Sequence, residues 1–234
     1  MYRITFLLFI TTCLIVAVAG AKGINPGQYL SASGRAKSQG KTTYYIDPRK
    51  GNDRNPGTLQ NRPWRTFERL NRMVLQPGDR VIVSPGTFHR SLYVIAKGTA
   101  KKPVSILFRP GRFDFYPDSA YSSVFQISNT NDVPNGLKAI ALYIAGSKFL
   151  NIKGAGSRII LRGKMIESCI DHSTDVTIAG LSYDYYRPTV SEIKITGLKA
   201  NTAEIAVNAS SAYSIKDSVL YWEGEGWRYA VGWY

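Results

Sequence analysis

The chain has 234 residues, with 30 Lys and Arg against 16 Asp and Glu, for a formal net charge of +14. Hydrophobic residues make up 44% and aromatics 12%, which is too apolar for a disordered chain. Two Cys and two His exclude a disulfide-dense scaffold, a multi-Cys zinc protein and a His-rich metal site. The positive balance admits nucleic acid, anionic glycan or a membrane surface as partner and by itself selects none.

In chain order, Arg3 precedes an apolar run over 4–19 and then small residues, Ala17-Val18-Ala19 and Ala19-Gly20-Ala21. The run is shorter than the ~20 residues that span a bilayer, so 1–21 reads as a cleaved signal peptide rather than an anchor. Cleavage removes Arg3 and no acid, leaving +13, and removes Cys13, leaving Cys169 alone. The predicted location is secreted or periplasmic, with no membrane contact after cleavage. Residues 22–41, rich in Gly, Ser and Lys, read as a flexible leader. A β-rich run over 42–46 is followed by the turn-dense Gly51-Asn52-Asp53-Arg54-Asn55-Pro56-Gly57-Thr58. Phe67, Leu70 and Val74 lie at i, i+3 and i+7, with Thr66 ahead and Pro77-Gly78 behind. This spacing predicts a short helix over 66–75 that caps the fold.

Short β runs broken by Gly and Pro follow, at 80–84, 103–108, 139–145 and 158–161. Within them, Ser147-Lys148-Phe149-Leu150-Asn151-Ile152-Lys153-Gly154 matches Ser173-Thr174-Asp175-Val176-Thr177-Ile178-Ala179-Gly180 at an offset of 26. A fixed period of this size marks stacked units. Alternate strand residues point inward, so Leu150 and Ile152 are expected to stack on Val176 and Ile178. The fold class is therefore all-β: a parallel β-helix over 42–189 with a short N-terminal capping helix. A β-sandwich is the competing reading. After Arg187-Pro188 the pattern loses the 26-residue echo, and 190–234 reads as the start of a β-barrel-like domain that looks truncated at Tyr234.

Glycoside hydrolysis needs two carboxylates across the scissile bond. The 26-residue offset puts Asp184 over Arg158, Asp171 over Ala145, Glu167 over Ala141 and Asp175 over Phe149, so no carboxylate pair stacks. Asp184-Tyr185-Tyr186-Arg187 combines an acid, ring faces and a bidentate donor, and reads either as a substrate contact or as a packed corner. Asp171-His172 reads as a turn cap. Glu223 and Glu225 would share a strand face about 6.7 Å apart beside Trp222 and Trp227, as a sugar site or a solvated edge. Asn52, Asp53 and Asn55 lack the terminal Glu of a calcium loop and read as a structural turn. No phosphate-binding loop or dinucleotide fingerprint is present, and neither metal nor cofactor is expected. Asn208-Ala209-Ser210 is a glycosylation sequon that matters only in a eukaryotic host. The basic residues are scattered along the sequence, which speaks against a nucleic-acid partner.

Two groups of motifs carry a family resemblance. Tyr45-Ile46-Asp47, Gly51 to Thr58, Pro63-Trp64-Arg65-Thr66-Phe67, Pro77-Gly78-Asp79 and Pro85-Gly86-Thr87-Phe88 resemble the opening of many secreted right-handed parallel β-helix proteins, which implies that handedness here. Pro110-Gly111-Arg112-Phe113-Asp114-Phe115, Ile127-Ser128-Asn129-Thr130, Gly163-Lys164-Met165, Ile170-Asp171-His172-Ser173 and Asp184-Tyr185-Tyr186-Arg187-Pro188-Thr189-Val190-Ser191-Glu192 resemble glycoside hydrolase family 110. The resemblance implies an exo-acting, inverting α-galactosidase that removes terminal α-1,3-linked galactose. It also implies a β-barrel domain inserted after the Arg-Pro-x-x-Ser-Glu element, of which Trp222-Glu223-Gly224-Glu225-Gly226-Trp227 looks like a strand. The family's catalytic aspartates lie on later coils, so the resemblance implies an N-terminal portion that is itself inactive, with Asp184 and Arg187 as candidate substrate-binding residues. The implied partner is a glycan ending in α-galactose. A non-catalytic glycan-binding solenoid and a lyase acting on an anionic polysaccharide stand as alternatives.

Overall fold

A computed structural model describes residues 32–125, 136–188 and 190–230. The expected signal peptide lies outside the described residues, as does most of the first part of the expected leader. The chain divides into two compact units, one over Lys22–Asp184 and another that contains Tyr185–Tyr234.

The first unit is a stack of coils. The opening coil holds β1 (Ala36–Lys37) and β2 (Thr43–Ile46). The next holds β3 (Met73–Leu75), β4 (Arg80–Val83) and β5 (Gly86–Phe88), and the third holds β6 (Leu92–Ala96), β7 (Val104–Phe108) and β8 (Gly111–Phe115). A side strand, β9 (Tyr121–Val124), precedes the coil of β10 (Leu137–Ala145) and β11 (Lys148–Leu161). The last coil of this unit is β12 (Met165–Asp171) and β13 (Thr174–Tyr185). Strands pair in parallel from coil to coil, in the order β1-β3-β6-β10-β12 on one sheet. On the other, β2-β4-β7-β11 and β5-β8-β11 run as two columns because β11 is long enough to serve both. β9 runs antiparallel against β10. This is a parallel β-helix, with the right-handed winding that parallel crossovers take.

Register accounts for the core. Tyr44, Val81, Ile106 and Ile152 fall in one row of adjacent strands, and all are 5% exposed or less. Leu92 pairs with Leu142 and Val94 with Ile144, again fully buried. Near the first coils the interior is aromatic: Phe67 stacks on Phe88 at 4.6 Å, and Phe88 on Phe115 at 5.2 Å. Val176 and Ile178 are half-buried, whereas Leu150 and Ile152 are fully buried. The repeated octapeptide does place its two copies on adjacent coils: Ser147 N–H donates to Ser173 Oγ and Thr174 N–H to the Ser147 carbonyl. The corners repeat as well. Gly146 and His172 have φ of 51° and 45°, and Phe149 and Asp175 have 50° and 54°. Gly180 (φ 71°) has a stricter reason for being glycine, because a Cβ there would lie 2.0 Å from the Gly154 carbonyl oxygen.

The expected helix over 66–75 is not formed. Leu70–Arg72 makes a single 3-10 turn, and Met73–Leu75 becomes β3, paired with β1 and β6. The helical spacing reflected burial alone, since Phe67, Leu70 and Val74 are each 5% exposed or less. A segment this short gains little from isolated helix formation, and the sheet takes its last three residues. Thr66 still accepts the Glu68 N–H, as a cap would, but it anchors a turn. In the segment expected as leader, Arg35 and Ser38 are buried and Ala36–Lys37 joins the sheet.

In the second unit, β14 (Ile193–Lys199) and β15 (Thr202–Val207) form an antiparallel hairpin. β16 (Ala212–Lys216), β17 (Val219–Gly224) and β18 (Trp227–Ala230) form a three-stranded antiparallel meander.

Candidate functional site

The outer face of the β5–β8–β11 column carries charge. Arg112 on β8 lies in register with Arg158 on β11, and Arg158 forms an ion pair with Asp184 on β13. This is the pairing the 26-residue offset predicts. Both partners are more than half exposed (61% and 52%), so the pair contributes little to stability and both groups are accessible to a ligand. Beside it, Asp114 is clasped by Arg112 at 2.6 Å and Arg162 at 3.3 Å. Burial pushes the Asp114 carboxyl up, but the two guanidiniums outweigh it and hold it below the ordinary value. Arg162 also lies over the Tyr116 ring at 4.8 Å, and Tyr116 stacks on His89, which meets Asp118 at 2.9 Å. Arg187, the other predicted contact, belongs to the second unit, where its guanidinium lies 5.9 Å from the Tyr186 ring.

The structure also builds a cluster that sequence reasoning missed. On the outer face of the β3–β6–β10–β12 sheet, Tyr93, Tyr143 and Cys169 share one register row, and Ala145 and Asp171 share the next. Tyr121 stacks on Tyr143 at 4.6 Å, Tyr93 meets Tyr143 edge-on at 4.8 Å, and Phe125 packs beside them. Arg35 lies 4.2 Å over the Tyr93 ring and donates to the Tyr93 carbonyl. The Tyr143 hydroxyl donates to Asp171 Oδ2 at 2.9 Å, while His172 Nδ1 meets Asp171 Oδ1 at 2.6 Å. Asp171 is therefore the link between a buried phenol and an exposed imidazole, beyond its predicted place at a turn. Burial, helped by the Asp171 carboxylate, pushes the Tyr143 phenol far above its ordinary range, so it stays a donor. The same two causes raise the Cys169 thiol, which keeps it protonated and unreactive. Each of β6 and β10 carries a single Tyr, and the 50-residue offset between Tyr93 and Tyr143 hides their neighbourhood in the sequence.

Three other expectations meet the geometry. Glu223 and Glu225 do not share a strand face: Glu223 lies on β17, while Glu225 falls in the turn before β18 with Gly226 at φ 74°. Glu223 instead accepts from Ser214 Oγ at 2.6 Å and pairs with Arg228 at 3.2 Å, and Arg228 lies 4.1 Å over the Tyr221 ring. In the Gly51–Thr58 turn, Asp53 accepts the backbone N–H groups of Arg65 and Thr66 and the Thr66 hydroxyl. That carboxylate fastens the loop, and among the described residues no group of three acids, His or Cys is arranged to hold a metal. Asn208 Oδ1 accepts from Ser210 N–H and Oγ, closing a turn across the sequon. Asp114 and Asp184 thus face guanidiniums, Asp171 a phenol and an imidazole, and Glu223 a hydroxyl and a guanidinium.

The coil register and outward-facing polar rows define a parallel β-helix protein. Its relatives narrow the class. The chain is 36% identical over 208 residues to "Alpha-1,3-galactosidase A" of Akkermansia muciniphila, covering 88% of this chain and 35% of that protein. It is 29% identical over 134 residues to "Alpha-1,3-galactosidase A" of Bacteroides thetaiotaomicron, covering 56% and 24%. It is 28% identical over 162 residues to "Alpha-1,3-galactosidase B" of Parabacteroides distasonis, covering 68% and 26%. The chain is a homologue of the alpha-1,3-galactosidases and spans about a third or less of the length of these three relatives. Among solved structures, GH136 lacto-N-biosidase from Eubacterium ramulus aligns with 61% of this chain and 34% of its own, at 15% identity and a TM-score of 0.45. No family model matches the chain.

Proposed function

We propose that this chain is the N-terminal portion of an exo-acting glycoside hydrolase that removes terminal α-1,3-linked galactose from glycans, and that this portion does not turn over substrate by itself. The observation that carries the second half is the state of the carboxylates: Asp184 is paired with Arg158, and Asp114 with Arg112 and Arg162. An inverting glycosidase needs one carboxylic acid to protonate the leaving oxygen and a second carboxylate to activate water, ~6.5–9.5 Å apart. In this reading most of the first unit is scaffold, and Asp184 at its end and Arg187 in the second unit each contact sugar hydroxyls. An Asp carboxylate accepts from two hydroxyls and an Arg fork donates to two oxygens, which is what a galactose ring presents.

Export fits this reading, because the apolar run over 4–19 precedes small residues suited to cleavage. No helix among the described residues is long and apolar enough to cross a membrane. The test is direct. The purified chain is expected to release no p-nitrophenol from a p-nitrophenyl α-galactoside and no galactose from a Gal-α-1,3-Gal disaccharide. Measurable turnover of either would overturn the inactive-portion claim.

A further inference from the structure

The charge that looks scattered in the sequence is gathered by the fold. The corner that joins the β1–β3–β6–β10–β12 sheet to the β2–β4–β7–β11 column recurs once per coil. Cations sit at or beside it in each of the first four coils: Lys41, Arg80, Lys97, Lys101, Lys102 and Lys148, every one exposed. Backbone bonds show that these turns are neighbours. Lys41 N–H donates to the Pro77 carbonyl, Gly78 N–H to the Lys102 carbonyl, and Gly98 N–H to the Lys148 carbonyl. Lys97 and Lys148 face each other across a β-bridge, and Lys41 runs alongside Gly78.

The acid within this set is Asp79, which is fully buried and spends its carboxylate on Ser38, Thr42 and Gln76. None of the six cations takes part in the ion pairs found among the described residues. The next coil reverses the sign, with Asp171 and Asp175 at the equivalent turn, so the positive ridge has a defined end. Coils rise by about 4.8 Å, so the ridge runs about 14 Å along the axis.

We propose that this corner is a docking ridge for an anionic polysaccharide, with sulfate or carboxylate groups meeting successive lysines. Five of the six cations are Lys, compact and strongly hydrated point charges suited to anions that vary in position. A nucleic acid is the less favoured occupant. The aromatic ring beside the ridge, Phe149, lies under the Lys148 ammonium at 5.4 Å instead of standing open as a platform for bases. The choice of a polysaccharide also rests on the glycan-directed function proposed above. The ridge would hold a charged host polymer while a neutral galactose terminus is presented elsewhere.

The experiment uses the purified full chain and heparin as the sulfated probe, with binding followed by titration calorimetry across salt concentrations. A ridge variant, Lys101→Glu, Lys102→Glu and Lys148→Glu, is compared with a charge-matched control, Arg49→Glu, Lys50→Glu and Arg54→Glu. Lys97 is left intact because its Nζ bonds the Gly146 carbonyl at 2.6 Å. Circular dichroism checks that both variants fold. The ridge variant is expected to bind about tenfold or more weakly at 0.1 M salt, where the Debye length is ~10 Å. It should also lower the salt slope of log K by about 2–3, with little change in the control. Equal weakening in both variants, or no heparin binding by the wild type, would overturn the ridge. Tighter binding to single-stranded DNA or to anionic phosphatidylserine vesicles than to heparin would overturn the polysaccharide as occupant. None of these outcomes depends on galactoside hydrolysis, so a failure here is distinct from a failure of the proposed activity.

Discussion

Replacing Asp79 with Ala removes the acceptor that ties the first coil to the second. Its carboxylate is fully buried and accepts from Ser38 Oγ, from Thr42 N–H at 3.0 Å and from Gln76 N–H at 2.8 Å. Ser38 Oγ also accepts the Gln76 N–H at 2.9 Å, so that donor keeps a partner in the variant. The Thr42 amide bears the loss outright, and the Ser38 hydroxyl is left with the Val74 carbonyl at 3.4 Å. At ~1.5–3 kcal/mol for a hydrogen bond to a charged group, D79A is expected to cost about 3–4 kcal/mol. For a chain of this size that is roughly 6–16 °C in Tm. Asp79→Asn keeps one acceptor oxygen and should cost about half as much. Urea unfolding followed by tryptophan fluorescence measures both, with the midpoint shift converted through an unchanged slope. A loss below about 1 kcal/mol for D79A would refute the reasoning, because it would mean that the donors find water and the first coil is not fastened by this carboxylate.

Further outcomes follow from other sites. Gly180→Ala is expected to cost over ~2 kcal/mol or to abolish soluble expression, since its Cβ meets the Gly154 carbonyl at 2.0 Å in a left-handed backbone; a variant as stable as wild type would contradict this coil spacing. A double-mutant cycle on Arg158→Ala and Asp184→Ala should give a coupling below ~1 kcal/mol in chemical denaturation. In a full-length relative, the change equivalent to Asp184→Ala should raise KM for the galactoside, whereas an unchanged KM would remove Asp184 from the substrate contacts. Asp114 has a folded-state carboxyl held below its ordinary 3.8, so its contribution is present above that pH and is lost as pH falls through the lower folded value. Asp114→Asn should therefore flatten the acid limb of a Tm-against-pH curve below about pH 4. A parallel limb in wild type and variant would show that the Arg112 and Arg162 clasp is energetically silent.

Much of the β-helix was legible because two adjacent coils are of equal length. The octapeptides at 147 and 173 share an inward alternation, and the same offset places Arg158 against Asp184, as found. Where coil lengths differ, local pattern misleads. Phe67, Leu70 and Val74 have helical spacing because each is buried, yet Val74 is buried as a strand residue beside Ile95. The Tyr93–Tyr143 row and the lysine ridge were invisible for a related reason. The two tyrosines are 50 residues apart, and the coils that carry the ridge are offset by 37, 25 and 46–51 residues, which no single period captures. The paired glutamates at 223 and 225 failed on turn chemistry, as the Gly226 conformation ends the strand between them.

Uneven coils have a consequence for how such a protein can change. In the β2–β4–β7–β11 column, successive register offsets are 37, 25 and 46 residues, yet the row Tyr44, Val81, Ile106, Ile152 stays intact. The surplus chain is paid out in excursions after β2 and after β8, while the stacked rows keep their addresses. Differences in chain length are thereby kept out of the stacked rows and confined to the stretches between them. The second unit begins as β13 ends. Growth of the stretches between strands would let the surface be rewritten while the spine keeps its register.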